Sequence, residues 1–128
     1  MSARSPFQYA IVRVVPRVER GECVNAGVVL FCRPLGFLAA RTALDERRVQ
    51  ALDPSTDLAG VRDHLDAFAR IAAGAPGAGP MAALEPSERF HWLVAPSSTV
   101  LQCSPVHTGL TDDPAGELER LMGRLVYS

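Results

Sequence analysis

The chain has 128 residues, of which 48% are hydrophobic, and its formal net charge is −1. This length and apolar content predict one domain over residues 1–128, and the near-neutral charge gives no long-range attraction to nucleic acid or anionic lipid. All 13 basic residues are arginine, which excludes a Schiff-base lysine, a phosphate-loop lysine and a lysine general base.

The cysteines and the N-terminal residues bear on the cellular compartment. Cys23, Cys32 and Cys103 are odd in number and widely spaced, which favours a reducing compartment over a disulfide framework. The N-terminal residues lack the apolar core of a signal peptide, and no window approaches the ~18 apolar residues of a membrane span. We therefore expect a cytoplasmic bacterial protein with no membrane association.

The first half of the chain predicts three strands. Residues 7–15 are rich in β-branched and aromatic side chains and are apolar on both faces, as in a central strand covered on both sides. After a charged loop, residues 23–33 predict a second strand, in which Gly27 indicates a bulge or a close backbone approach. A Pro-Leu-Gly turn then predicts a third strand over residues 37–41.

Two helices are predicted to follow. Thr42 can cap a short helix over residues 44–52, and apolar residues at helical spacing predict a longer helix over residues 57–73. The Gly/Pro-rich residues 74–80 predict a flexible, poorly ordered loop within the domain.

The remaining residues predict two strands and a last helix. Residues 89–95 and 99–103 read as a strand pair around a Pro-Ser-Ser turn, and Pro114 begins an amphipathic helix. The predicted order is βββαα-loop-ββα. We expect an α+β fold with a mainly antiparallel sheet of about five strands and two to three helices, largely on one face.

One cluster of polar residues stands among the apolar strands. If the first two strands form a hairpin, Arg13 lies near Asn25, with Glu22 at the mouth of the loop. Together with Gly27, these residues form either a structural ion-pair cluster that pins the hairpin or a pocket for a small anion or phosphate. The charge pattern alone leaves both interpretations open.

Other candidate residues lie in the C-terminal half. Cys103 could form a nucleophile pair with His91 or His107, and Ser98 and Thr99 could offer hydroxyls to a ligand. Each type also occurs in ordinary strands and turns. The Cys-x-x-x-His spacing of Cys103 and His107 lacks the partners of a zinc site, so we expect no metal and no cofactor.

Four stretches carry a resemblance to a known family: FQYAIVRVVP at 7–16, ECVNAGVVL at 22–30, SSTVLQ at 97–102 and LTDDPAGELERL at 110–121. They resemble the bacterial family called Domain of Unknown Function 3037. The resemblance implies a small bacterial protein without an established activity, and marks Arg13, Glu22, Asn25 and Gly27 as the positions most expected to matter. It also implies a protein partner, such as a HipA-type kinase.

The leading functional prediction is a non-catalytic accessory or protein-interaction domain. The first alternative is a small enzyme or ligand-binding protein for an anionic or phosphorylated substrate, with the cluster around Arg13 as its site. Nucleic-acid association is the third and the least favoured, because the basic residues are interleaved with acids.

Overall fold

The computed structural model describes residues 3–127, which form an α+β fold with five strands and four α-helices. The strands are β1 (Ser5–Val14), β2 (Val24–Cys32), β3 (Phe37–Thr42), β4 (Leu101–Cys103) and β5 (His107–Thr111). The helices are α1 (Glu46–Leu52), α2 (Leu58–Ala72), α3 (Pro86–Val94) and α4 (Pro114–Leu125), and two 3₁₀ turns span Arg33–Leu35 and Pro80–Ala83. The predicted α+β class and the antiparallel sheet of about five strands are thereby confirmed, whereas the four α-helices exceed the predicted two to three.

The sheet is organised around β1. Its strands run in the order β3-β2-β1, and the other flank of β1 pairs with both β4 and β5. β4 pairs with residues 12–14 and β5 with residues 5–9, all antiparallel. The expectation that residues 7–15 form a central strand is confirmed.

The sheet is covered on both faces, which explains why β1 and β2 are apolar on both sides. On one face, Val12 and Phe31 pack in a core with α1, α2 and α3. On the other face, α4 places Leu118 and Met122 against β2 residues such as Leu30. The expectation that helices lie largely on one face therefore needs one correction, since α4 covers the opposite face.

Gly27 lies at a bulge and also at a close backbone approach, the two features predicted for a glycine inside this strand. The pairing of β1 with β2 is irregular between Val12 and Arg13, since these residues face Gly27 and Asn25 and leave Ala26 as the extra residue. A Cβ atom at Gly27 would lie 2.5 Å from the carbonyl oxygen of Arg41 in β3. Only glycine allows this approach of the two backbones without a shift.

In the C-terminal half, one predicted strand is wrong and one observed strand was not predicted. Residues 89–95 are largely helical, because Pro86 is suited to the first turn of α3 and the helix buries Phe90 and Leu93 in the core. Residues 107–111, for which no strand was predicted, form β5. The observed order is therefore βββαααββα, without the 3₁₀ turns.

Smaller differences concern the first helix and the Gly/Pro-rich loop. The N-cap of α1 is Asp45, whose carboxylate accepts a hydrogen bond from the Arg48 backbone, and not Thr42, which ends β3. Residues 74–80 form turns in which the Ala75 backbone donates to the Arg70 carbonyl. The flexibility of this loop stays a prediction. Between residues 3 and 127, no helix has the length and apolar character needed to cross a membrane.

Candidate functional site

The structure brings Arg13 and Asn25 together as predicted, as direct neighbours across β1 and β2. The Asn25 side-chain amide, however, donates a hydrogen bond of 3.0 Å to the backbone carbonyl of Leu125 in α4. The last carbonyls of a helix lack intrahelical partners, so Asn25 satisfies one of them. This contact gives Asn25 a structural role at the sheet–helix junction.

Glu22 lies outside this junction. Its carboxylate is exposed and forms an ion pair of 2.7 Å with Arg20 in the same loop. The expected ion pair between Arg13 and Glu22 is not formed in the described part of the chain. Arg13 is half-buried, and its Nε atom is buried without a hydrogen-bond partner among residues 3–127. The four residues of the predicted cluster therefore do not converge on one pocket.

The two histidines of the predicted nucleophile pairs are engaged elsewhere. His91 is exposed on α3, with its Nδ1 atom 2.7 Å from the Ser87 carbonyl oxygen. His107 is exposed on β5, and its ring stacks on Tyr9 with 5.2 Å between ring centroids.

Cys103 has the electrostatics of an unreactive thiol. Burial raises its pKa to about 11, although the positive charge of Arg13 opposes part of this shift. Its thiol donates a long hydrogen bond to the Leu93 carbonyl, with 3.5 Å between Sγ and O. A thiol in this state is neutral at pH 7, whereas a nucleophilic cysteine requires the thiolate.

Ser98 and Thr99 lie in the exposed turn before β4. The Thr99 hydroxyl donates to the Leu101 carbonyl, with 2.8 Å between the oxygens, and also contacts the Ser97 hydroxyl. Thr99 therefore shapes the turn, and the Ser98 side chain stays open to solvent.

The structure shows a groove beside β4 whose walls are mostly apolar. A cavity of about 300 Å³ lies between α2, α3 and β4, with walls formed by Phe68, Trp92, Leu93 and Leu101. A second cavity of about 290 Å³ adjoins it and shares the lining residues Pro96, Ser97, Gln102 and Cys103. We call these two adjoining cavities the β4 groove.

Trp92 is the most conspicuous residue of the β4 groove. It is 48% exposed, whereas the neighbouring Phe90 and Leu93 are buried. As part of a strand, Trp92 would share a face with Phe90 and be buried with it. The helical period places it at the surface instead, so recognising this site required the correct assignment of α3.

A set of polar contacts around Asp53 holds the turn between α1 and α2. The pKa of Asp53 lies below its ordinary value, chiefly because the Ser55 hydroxyl donates a hydrogen bond of 2.7 Å to the carboxylate. The Ser55 backbone N–H adds a second bond, and Arg17 forms an ion pair with 3.4 Å between Nε and Oδ2. These contacts occupy the carboxylate and tie the β1–β2 loop to the helices.

The chain belongs to the family of proteins of unknown function called DUF3037, whose family model matches residues 9–126. This match confirms the resemblance noted in the sequence. No curated protein and no solved structure shows a significant match. Within residues 3–127, no three His, Cys, Asp or Glu side chains gather where they could hold a metal ion.

Proposed function

We propose that this protein is a non-catalytic interaction domain that binds a protein partner through the β4 groove. The observation that carries the proposal is the exposure of Trp92 beside an apolar cavity. Tryptophan contributes a large apolar surface and is enriched among the residues that dominate binding energy at protein interfaces. Its place at the rim of a concave site supports a role in recognition.

The chemistry of the groove favours an apolar partner side chain. Its walls carry Phe68, Leu93 and Leu101, and Ser97 and Gln102 supply polar groups beside them. Ligand sites commonly combine apolar walls with a few polar groups that orient the ligand. Cys103 adds a neutral thiol and no charge at pH 7.

A second candidate function is the binding of a small anion at Arg13. The observation that favours it is the Nε atom of Arg13, which is buried without a partner among residues 3–127. A carboxylate or phosphate oxygen could accept from this donor. Arg13 would act without the other cluster residues, since Asn25 bonds α4 and Glu22 pairs with Arg20.

The interaction proposal is tested by purifying the tagged protein from its native host and identifying bound proteins by mass spectrometry. Trp92→Ala is compared with Leu35→Ala, because Leu35 is 49% exposed but lies on the turn between β2 and β3. We expect the partner to be kept by the Leu35 variant and lost by the Trp92 variant. The recovered partner is then purified and its affinity measured by calorimetry.

A purified HipA-type kinase is the first partner to try, because the family resemblance suggests such a kinase. Equal binding by the wild type and Trp92→Ala would contradict recognition through the groove. Circular dichroism of each variant shows that the fold is kept. The anion alternative instead predicts that Arg13→Met abolishes the binding of inorganic phosphate, followed by calorimetry.

A further inference from the structure

We infer that the partner segment bound in the β4 groove is extended and adds a strand to the free edge of β4. The inference rests on the proposed function and specifies the conformation and the chemistry of the ligand. It is carried by the direction of the backbone groups of β4, by the open space beside them and by the face to which the β4 side chains point.

The hydrogen bonds between β1 and β4 define which backbone groups of β4 are free. The Val15 N–H donates to the Val100 carbonyl, and the Ser104 N–H donates to the Ile11 carbonyl. Because antiparallel strands alternate, residues 100, 102 and 104 point their backbone groups toward β1, whereas Leu101 and Cys103 point theirs away.

Three of the backbone groups that point away have no hydrogen-bond partner in the described part of the chain. The Leu101 carbonyl accepts a bond from the Thr99 hydroxyl. The N–H of Leu101 and both the N–H and the C=O of Cys103 make no hydrogen bond with any residue from 3 to 127. This edge therefore offers two donors and one acceptor at the spacing of a strand ladder.

The free edge borders open space. Gln102 and Cys103 of β4 line both cavities of the β4 groove, and so do Pro96 and Ser97 of the turn after α3. A single extended segment in these cavities would bring its own backbone to Cys103. A helical segment already pairs its own backbone N–H and C=O groups internally. It would bury the N–H and C=O of Cys103 without hydrogen-bond partners, which is unfavourable.

The orientation of the β4 side chains predicts the sequence of the segment. Leu101 and Cys103 pack against the core on the α2 and α3 face of the sheet. A residue paired with Cys103 would point to the same face, beside Trp92 and Leu93. The ligand is therefore an extended segment that binds by strand addition. It carries a bulky apolar residue opposite Cys103, and polar residues alternate along the rest of the segment.

The test uses a displayed library of random peptides that is selected on the full-length protein. The affinity of the selected peptides is then measured by calorimetry. We expect the selected peptides to share one bulky apolar residue. We also expect Trp92→Ala to weaken their binding about tenfold or more, which calorimetry measures reliably. Leu35→Ala should bind as the wild type does.

Backbone methylation of the peptide separates strand addition from other modes of binding. Methylating one peptide amide at a time on the wild-type protein should weaken binding about tenfold at the amide that donates to the Cys103 carbonyl, and much less at the amides on either side of it. This readout does not depend on how well any protein variant folds.

The two proposals fail in different ways. A library without binders, or peptides that bind Trp92→Ala as tightly as the wild type, would overturn the proposed function. Peptides that need Trp92 but tolerate methylation at every amide, or that bind as helices by NMR, would overturn strand addition alone. Self-association of the wild type that Trp92→Ala abolishes, measured by light scattering, would assign the groove to a second copy and overturn both.

Discussion

Asn25 and Leu125 stand 100 positions apart in the chain, yet the Asn25 amide donates a hydrogen bond to the Leu125 carbonyl across 3.0 Å. The bond joins the bulged end of β2 to the last residue of α4. It therefore helps to hold α4 on the sheet face opposite to α1, α2 and α3. One residue of the family motif is thus explained by structure alone.

Replacing Asn25 with Ala should lower the free energy of unfolding by about 1–2 kcal/mol, because the Leu125 carbonyl loses its donor. Asn25→Asp should cost at least as much, since an ionised carboxylate cannot donate. Urea denaturation at pH 7 measures both changes. An unchanged stability in both variants would show that the amide is not engaged with α4 in solution.

Gly27→Ala should destabilise the fold by about 1–3 kcal/mol, because the new Cβ would meet the Arg41 carbonyl oxygen and force β3 away. Gly123→Ala is the matched control, since a Cβ on this exposed face of α4 meets nothing within 4 Å. Alanine is the better helix former, so this variant should be up to ~1 kcal/mol more stable. Thermal unfolding distinguishes the two, and a similar shift in both would contradict the close approach at Gly27.

Arg13→Met should leave the free energy of unfolding within about 0.5 kcal/mol of the wild type. Methionine keeps the apolar stem, and the guanidinium has no ion pair to lose among residues 3–127. Urea denaturation provides the measurement. A loss of ~3–5 kcal/mol would instead indicate a buried ion pair of the kind first expected at this position.

The stability of the protein should depend on Asp53 at low pH. Its pKa in the folded protein is lowered from 3.8, so the charged carboxylate is the form that the fold stabilises. This contribution is present above pH 3.8 and is lost as the pH falls through the lower pKa of the folded state. Asp53→Asn should therefore be less stable than the wild type at pH 7, and the gap should close in denaturation curves recorded at decreasing pH. A gap independent of pH would contradict the contacts with Ser55 and Arg17.

Alkylation by iodoacetamide should proceed faster at Cys23 than at Cys103. Cys23 is exposed, whereas Cys103 has a pKa of about 11 against an ordinary 9.0. A pKa that is two units higher reduces the thiolate fraction of Cys103 at pH 8 roughly a hundredfold relative to a thiol with the ordinary value. The thiolate is the species that reacts with iodoacetamide. Peptide mass spectrometry over a time course at pH 8 gives both rates. Faster labelling of Cys103 would revive the nucleophile hypothesis.

Clear local patterns explain why the first half of the fold could be predicted. The hairpin of β1 and β2 follows from two apolar runs rich in β-branched residues around a charged loop, and its register brings Arg13 to Asn25. The α2 helix follows equally from its apolar stripe and its Asp57 cap. In these elements, local pattern and tertiary packing agree.

The C-terminal half was harder because its local patterns are ambiguous. α3 has only nine residues, and the spacing of its apolar residues suits a strand as well as a helix. In β5, apolar and polar residues do not alternate as they do in a half-buried strand. The strand lies at the edge of the sheet and leaves His107, Thr108 and Leu110 exposed. The contact of Asn25 with Leu125 depends on the placement of α4, which no local pattern encodes.

The two-sided pairing of β1 has a consequence for synthesis on the ribosome. Of the five strands, β1 emerges before the others, but Ser5 pairs with Thr111 and Val14 pairs with Leu101. One flank of β1 therefore stays unpaired until β4 and β5 have left the exit tunnel. Nascent chains that stop before β4 expose a long apolar edge, so they are the species that chaperones must protect from aggregation.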